Sequence, residues 1–167
     1  AVDEGTHHRP ESTALEARAS EGGFTLVGSK ASVAEGSAAT HFVVAARTAG
    51  TPGENDGISL FLLPADSVGV SRTPLNVLDS RDYANIQLDD VHVGADALLG
   101  RLDGGLPLLQ QVLDRARAGI AAEMLGTASQ AFDMTLDYLK TREQFGSVIG
   151  SFQGLGHRAA GLFSAME

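Results

Sequence analysis

The amino-acid sequence predicts an α+β fold, in which an antiparallel β-barrel-like domain is followed by helices of an up-and-down α-bundle. From residue 22 to about residue 93, short β-branched and apolar runs alternate with Gly, Pro, Asn and Asp, which is typical of strands and turns. After residue 105, apolar residues recur every three or four positions, which is the period of a helix. We therefore assign residues 1–100 to the β domain and residues 101–167 to the start of an incomplete helical bundle.

Five runs in the first domain have the length and composition of strands. The clearest is the last one, because Ala84, Ile86 and Leu88 alternate with Asn85 and Gln87. This two-residue period places one face of the strand against the core and the other face in water. The predicted strands are 24–27, 41–47, 58–63, 68–73 and 83–93.

One long helix is predicted over 106–140, and a second helix begins at residue 152, after glycines 146 and 150 interrupt the first. The first helix would be roughly 50 Å long at 1.5 Å per residue. Two helices cannot bury apolar faces of this width by themselves. We therefore expect further helices, from the same polypeptide or from another chain, to cover them.

The composition limits the classes of function. A net charge of −9 argues against binding to nucleic acid or to an anionic membrane, since both require clustered Lys and Arg. No apolar run approaches the roughly 20 residues that span a bilayer, and no charged-then-apolar leader is recognisable, so we expect a cytoplasmic protein. The absence of cysteine excludes disulfides, thiolate metal sites and cysteine nucleophiles.

The most specific motif joins the two helical patterns. Residues 141–153 read Thr-Arg-Glu-Gln-Phe-Gly-Ser-Val-Ile-Gly-Ser-Phe-Gln. This stretch resembles the Arg-x-x-Phe-Gly and Phe-Gln turn of acyl-CoA dehydrogenases, in which the arginine reaches the pyrophosphate of an FAD that a neighbouring subunit mainly binds.

Three further motifs are similar to that family, and all four occur in the family's order. Residues 22–30 resemble the Gly-x-x-x-Leu-x-Gly-x-Lys strand and turn of the middle domain. Residues 88–100 resemble the exit into the helical domain, with Leu-Asp-Asp-Val-His-Val followed by Leu-Leu-Gly. Residues 113–117, Leu-Asp-Arg-Ala-Arg, resemble the helix that lines the acyl-CoA site.

The resemblance implies an oxidoreductase that converts an acyl-CoA thioester to the α,β-enoyl-CoA. FAD would accept the β-hydride while a carboxylate removes the α-proton. The implied assembly is a homo- or hetero-tetramer with FAD at the subunit interface, and an electron-transfer partner is possible. Acyl-CoA oxidases and flavin monooxygenases share this fold and are alternatives, because a fold alone does not specify the chemistry.

The resemblance also implies site residues. Arg142, Gln144, Phe145 and Gln153 match positions that meet FAD across the interface. A planar guanidinium suits a diphosphate, and an aromatic ring and an amide suit adenine. The alternative for Arg142 is a cation that stabilises the helix C-terminus, and the alternative for Phe145 is core packing.

Asp114 and Arg117 match positions near the substrate. Their alternative role is a solvated ion pair between residues i and i+3 of a helix, which would contribute only a few tenths of a kcal/mol. The sequence contains no candidate for the catalytic base. Ala116 occupies one of the two positions where the family has a glutamate, so we do not expect this polypeptide to complete the reaction by itself.

The β domain departs from the family where the flavin ring would lie. Ser32 and Ala34 occupy positions where the family commonly has Trp and a hydroxyl residue. The protein could therefore be a catalytically inactive partner subunit of a hetero-oligomeric acyl-CoA dehydrogenase. A divergent homo-oligomer that holds the flavin through backbone contacts, or an inactive interaction module, are the other possibilities.

Two local features do not predict sites. His7 and His8 lack a cysteine or a helical partner nearby, so no metal site is predicted. Asp89 and Asp90 are successive residues of a strand and are expected on opposite faces of the sheet, which excludes a shared carboxylate site.

Overall fold

In the computed structural model, which describes residues 1–166, the first part of the chain folds into a seven-stranded sheet. Neighbouring strands are antiparallel, as predicted, except that the first and third strands pair in parallel through Glu16 and Arg47. The order across the sheet is β5-β6-β2-β1-β3-β4-β7. The strands are β1 (Glu16–Ser20), β2 (Gly23–Ala34), β3 (His41–Arg47), β4 (Ile58–Pro64), β5 (Val70–Pro74), β6 (Tyr83–Gly94) and β7 (Leu98–Leu99).

The sheet is strongly curved. The rings of Phe24 on β2 and Phe61 on β4 have centroids 5.0 Å apart, although β1 and β3 lie between these two strands in the sheet. Contact between non-neighbouring strands requires the sheet to bend back on itself, as a barrel does. The concave side holds one hydrophobic core, which includes Leu26, Val44, Phe61, Leu63, Ile86 and Leu88.

Two β-bulges interrupt the pairing of β2 with β6. Asp89 and Asp90 lie opposite the single residue Val27, and Ala31 and Ser32 lie opposite Asn85. Asp89 and Asp90 are both exposed, so the expectation that they point to opposite faces is wrong. The bulge absorbs one residue, with Asp90 in a left-handed conformation (φ 50°).

Arg47, at the end of β3, is a buried cation with 6% of its surface exposed. Each of its five N–H groups donates to a backbone carbonyl, so the guanidinium joins the segment before β1 to the loop between β3 and β4. The acceptors are the carbonyl oxygens of Thr13 (2.7 Å), Ala49 (3.3 Å), Asp56 (3.0 Å), Glu11 (2.9 Å) and Glu54 (3.2 Å).

Two helices follow the sheet. α1 (Gly105–Thr141) and α2 (Gln153–Met166) have nearly the predicted bounds. The chain divides into two compact units between Gln111 and Val112, so the first turns of α1 belong to the sheet unit, where Gly105, Leu106 and Leu109 are buried.

The second unit consists of the rest of α1 and the residues that follow it. Phe132 on α1 and Phe163 on α2 have ring centroids 6.4 Å apart. Most other apolar side chains of this unit remain exposed, among them Val112, Ile120, Met124, Leu125, Met134 and Leu162. Within residues 1–166, no helix combines the length and hydrophobicity needed to cross a membrane.

Candidate functional site

A tight β-hairpin follows α1. β8 (Glu143–Gln144) pairs with β9 (Ser147–Val148), and Phe145 and Gly146 connect them with φ angles of 54° and 75°. Two successive left-handed residues form the turn whose twist matches that of a hairpin. Glycine adopts this conformation at little cost. For Phe145 the conformation is strained by about 1–2 kcal/mol, because its Cβ crowds the following carbonyl.

The backbone of Arg142 is fixed on both sides of this hairpin. Its N–H donates to the Tyr138 carbonyl in the last turn of α1 at 2.9 Å. Its carbonyl accepts the N–H of Ile149, just after β9, at 2.8 Å. Arg142 therefore leaves the helix at a defined position, and only its side chain is free to move.

The side chains of the hairpin extend into solvent. Phe145 is 93% exposed, and its ring meets the ring of Phe152 edge-on at 6.3 Å. Gln144 donates from Nε2 to the Glu143 carbonyl at 2.8 Å, which leaves its side-chain oxygen available. Among residues 1–166, the guanidinium of Arg142 has neither a hydrogen bond nor an ion pair. Gln153 is the exposed first residue of α2, next to Phe152.

The structure thus brings Arg142, Gln144 and Phe145 together on one hairpin, with Gln153 close behind in the chain. A fork of N–H donors, amide groups and an aromatic ring face solvent from a backbone that hydrogen bonds hold in place. These groups are chemically suited to a ligand that carries both phosphate and an aromatic ring. The predicted FAD-binding residues fit that group.

The predicted substrate residues form a separate pair. Arg117 Nη1 donates to Asp114 Oδ1 at 2.7 Å, and both side chains are more than half exposed. This is the i,i+3 ion pair of the alternative interpretation. From Arg117 to the end of α1 at Thr141 the helix rises about 36 Å, at 1.5 Å per residue. The two sets of predicted residues therefore do not share one site on this chain.

The sheet unit contains an open groove of about 480 Å³. Its wall is the segment that precedes β1, and it is lined by Val2, Glu4, Gly5, Thr6, His7, Arg9, Ser12 and Thr13. Sequence analysis did not identify this groove, because its residues are neither periodic nor apolar. Lys30 does not line the groove, but its position in the sequence is unusual, because this charged residue lies two and four positions after Gly28 and Leu26 on the inward face of β2.

The residues that replace the family's flavin-facing positions lie in the last part of β2, Ser32 in its second bulge and Ala34 paired with Tyr83. Ser32 is left-handed (φ 50°), and its N–H donates to Asn85 Oδ1 at 3.0 Å. Ala31 donates its N–H to the Asp3 carbonyl at 2.7 Å. Ser32 and Ala34 are both exposed. The side chains present at these two positions are small, and neither supplies a large apolar surface.

Comparison with known proteins places this geometry in a family. Residues 3–91 match the model of the acyl-CoA dehydrogenase middle domain, and residues 103–165 match that of the acyl-CoA dehydrogenase C-terminal domain. The chain belongs to the acyl-CoA dehydrogenase family. This confirms the family that the four motifs predicted, together with the α+β fold.

Individual relatives agree. The mitochondrial short/branched chain specific acyl-CoA dehydrogenase of Bos taurus is 34% identical over 162 residues, which are 94% of this chain and 37% of that protein. The butyryl-CoA dehydrogenase structure from Megasphaera elsdenii has a TM-score of 0.85 at 28% identity, and the electron transferring flavoprotein structure of Acidaminococcus fermentans has 0.84 at 28% identity. Each match covers 99% of this chain and 44% of the solved chain. This chain therefore spans less than half the length of these relatives.

Proposed function

We propose that the protein is an FAD-dependent acyl-CoA dehydrogenase that desaturates an acyl-CoA thioester between its α and β carbons. The observation that carries the proposal is the hairpin after α1, in which a fixed backbone presents Arg142, Gln144 and Phe145 to solvent. In this protein the hairpin would be donated to FAD held mainly by a neighbouring subunit. Family membership supports this assignment.

Each residue has a defined role in the proposal. Arg142 forks onto the diphosphate, where a charge-assisted bond at a subunit interface is stronger than one in open water. Gln144 and Gln153 form hydrogen bonds with the polar edge of the adenine, and Phe145 packs against its face. The strained turn supports a role in binding, because strain of this kind is concentrated at functional sites.

We further propose that Asp114 and Arg117 contact the acyl-CoA, exchanging their mutual ion pair for polar groups of the substrate. The chemistry that FAD supplies to this reaction is acceptance of the β-hydride. Ala116 carries no ionisable group, so this position on α1 does not provide the base that removes the α-proton. A base elsewhere in the functional assembly is required.

The domain division and the assembly are also proposals. We place the boundary between residues 100 and 101, since β7 ends at Leu99 and α1 begins at Gly105. We propose a homo- or hetero-tetramer with FAD at the subunit interface, because the apolar side chains of α1 and α2 need a partner surface. An electron-transfer protein would reoxidise the flavin.

The test is the amount of FAD that co-purifies with the full-length protein, measured from its visible absorption. Arg142→Ala should weaken FAD binding by about 10- to 100-fold, which is the range for losing one charge-assisted contact. Arg158→Ala, which removes an exposed arginine from α2, is the matched control and should retain FAD. Equal FAD content in the two variants would contradict the role of Arg142.

A second candidate is a catalytically inactive partner subunit, which the small residues Ser32 and Ala34 near the end of β2 favour. This candidate predicts that the purified protein is free of flavin and acquires FAD only with a related chain. One FAD per chain together with turnover of acyl-CoA would exclude it. The same absorption measurement of bound FAD tests both candidate functions.

A further inference from the structure

Within residues 1–166, one of the largest fully buried side chains belongs to a lysine. Lys30 on β2 is 1% exposed. Its Nζ donates to Glu4 Oε1 at 2.6 Å and to the Val2 carbonyl at 2.9 Å. Burial lowers the pKa of Lys30, and the hydrogen bond and negative charge of Glu4 oppose that shift. A buried ammonium of this kind is costly and is maintained only where its partners are fixed.

The Glu4 carboxylate has a second set of partners. Oε2 accepts the N–H of Ala14 at 2.8 Å, and Oε1 accepts the N–H of Leu15 at 2.9 Å. One carboxylate therefore connects the beginning of segment 4–14 to its end and closes it into a loop. Lys30 attaches this loop to β2, and the bond from the Ala31 N–H to the Asp3 carbonyl adds a second attachment.

This loop is the wall of the groove of about 480 Å³. The charged and titratable groups that line the groove are Glu4, His7 and Arg9, while the Asp3 carboxylate is paired with His8 Nδ1 at 2.9 Å. Lys30 cancels the charge of Glu4. With that charge cancelled, the remaining formal charge of the lining is the cation of Arg9, which suits an anionic or neutral polar ligand.

We propose that Lys30 is a positioning residue, which holds loop 4–14 in its groove-forming conformation by compensating the partly buried charge of Glu4. Lys30 acts through Glu4 and touches no ligand itself. The conformation of the loop follows from the hydrogen bonds alone. The hydrogen-exchange test below is independent of the proposed function. Only the second readout, the amount of bound flavin, rests on that function.

The test is hydrogen–deuterium exchange of the full-length protein, followed by mass spectrometry of peptides that cover loop 4–14 and the bulge at Ala31 and Ser32. In Lys30→Met the amides of Ala14, Leu15 and Ala31 should exchange at least about tenfold faster, because the partly buried carboxylate of Glu4 loses the cation that compensates it. Peptides from β3 and β4 should be unchanged. Arg18→Met, which removes an exposed cation from β1, is the control and should leave the loop protected.

The double variant Lys30→Met with Glu4→Gln separates charge compensation from space filling. A neutral amide needs no cation, and its oxygen still accepts one of the two N–H groups, so most of the protection should return. Protection as low as in the single variant would overturn the proposal, and so would a single variant that exchanges like the wild type. If Lys30→Met does not fold, recovery of folding in the double variant supports the proposal, and failure of both overturns it.

The flavin readout distinguishes this inference from the proposed function. The Ala31 N–H bond to the Asp3 carbonyl attaches this segment next to Ser32, which matches a flavin-facing position of the family. Lys30→Met should therefore lower the amount of bound FAD, and the double variant should regain most of it. A wild-type protein that binds no FAD, alone or with a related chain, would refute the proposed function and leave the exchange test of Lys30 intact.

Discussion

Arg47 shows how a single buried cation is stabilised without a carboxylate. Its five N–H groups all donate to backbone carbonyls. Replacing it by methionine would remove the guanidinium donor from all five carbonyls, although the Glu11 carbonyl would still accept the Gly53 N–H at 3.0 Å. Arg47→Met should therefore lower the free energy of unfolding by about 3–5 kcal/mol, because several acceptors lose their donor and each unsatisfied buried acceptor costs roughly 1–3 kcal/mol. Urea denaturation measures the change.

The control for this prediction is Arg18→Met on the neighbouring strand. Arg18 is exposed and bonds only to Glu16, so its loss should change the free energy of unfolding by less than about 1 kcal/mol. An effect of similar size in the two variants would mean that the carbonyl contacts of Arg47 contribute little.

Lys30 should make stability depend on pH. Burial lowers its pKa from the ordinary value of 10.5, so the unfolded chain holds the proton more tightly than the folded protein does. The free energy of unfolding should rise with pH between the lowered folded pKa and 10.5. Urea denaturation at a series of pH values in that window should show the rise in the wild type and its loss in Lys30→Met. The same slope in both proteins would contradict this assignment.

Individual residues differ in how far the sequence predicts them. Arg142 and Phe145 are identified from a local motif, because their neighbours in the chain define the turn. Lys30 and Arg47 could not be identified in this way. Their partners are backbone carbonyls and one carboxylate in irregular segments, some of them 26 to 36 residues away, and such contacts leave no periodic pattern. For Asp114 and Arg117 the ion pair was foreseen, and their substrate contact stays a prediction.

Among the elements, the hairpin after α1 carries an exposed phenylalanine ring at a position whose left-handed backbone lowers its stability. Phe145→Asn should raise the thermal midpoint, since asparagine adopts a left-handed conformation more readily than phenylalanine. The same change should weaken FAD binding by about tenfold or more, the effect of losing one stacking contact. Calorimetry and flavin absorption measure the two effects. Phe145→Tyr keeps the ring and should retain FAD, so an equal loss in both variants would refute the stacking role.

The start of α1 depends on a close approach to β4. A Cβ on Gly105 would lie 2.9 Å from the Ile58 carbonyl oxygen and 3.0 Å from Ser59. Gly105→Ala should therefore destabilise the sheet unit by about 1–3 kcal/mol, as overpacking does. Gly119→Ala, at a mid-helix position with no atom within 4 Å of the new Cβ, should instead stabilise the protein by about 0.5–1 kcal/mol. Chemical denaturation of both variants tests the contrast.

Strands and helices were predicted where the hydrophobic period is clear. β6 and α1 were found because their apolar residues repeat at two and at three to four positions. β1 was missed, since Glu-Ala-Arg-Ala-Ser has no β-branched or aromatic residue and is held by its pairing with β2. The two bulges were missed because an extra strand residue is recognised only when the register of both strands is known.

For the whole molecule, the exposed apolar side chains of α1 and α2 predict assembly. Ile120→Glu places a charge among them and should shift the protein towards smaller species in light scattering. Gln130 is exposed and lies among the charged residues Glu123, Asp133 and Asp137, which are seven residues before it and three and seven residues after it on α1. Gln130→Glu adds the same charge there and should leave the assembly intact. Equal masses for both variants and the wild type would mean that this face takes no part in an interface.

The contacts of Arg47 also bear on how the chain folds. Glu11 and Thr13 precede Arg47 by 36 and 34 residues, while Ala49, Glu54 and Asp56 follow it by 2, 7 and 9. If only one of the two segments is in place, the guanidinium loses water without gaining all its acceptors. This partly formed state is therefore less stable than both the unfolded chain and the completed corner. This corner of the sheet unit should therefore form in a single cooperative step, with the segment before β1 joining at the same moment as the β3–β4 loop.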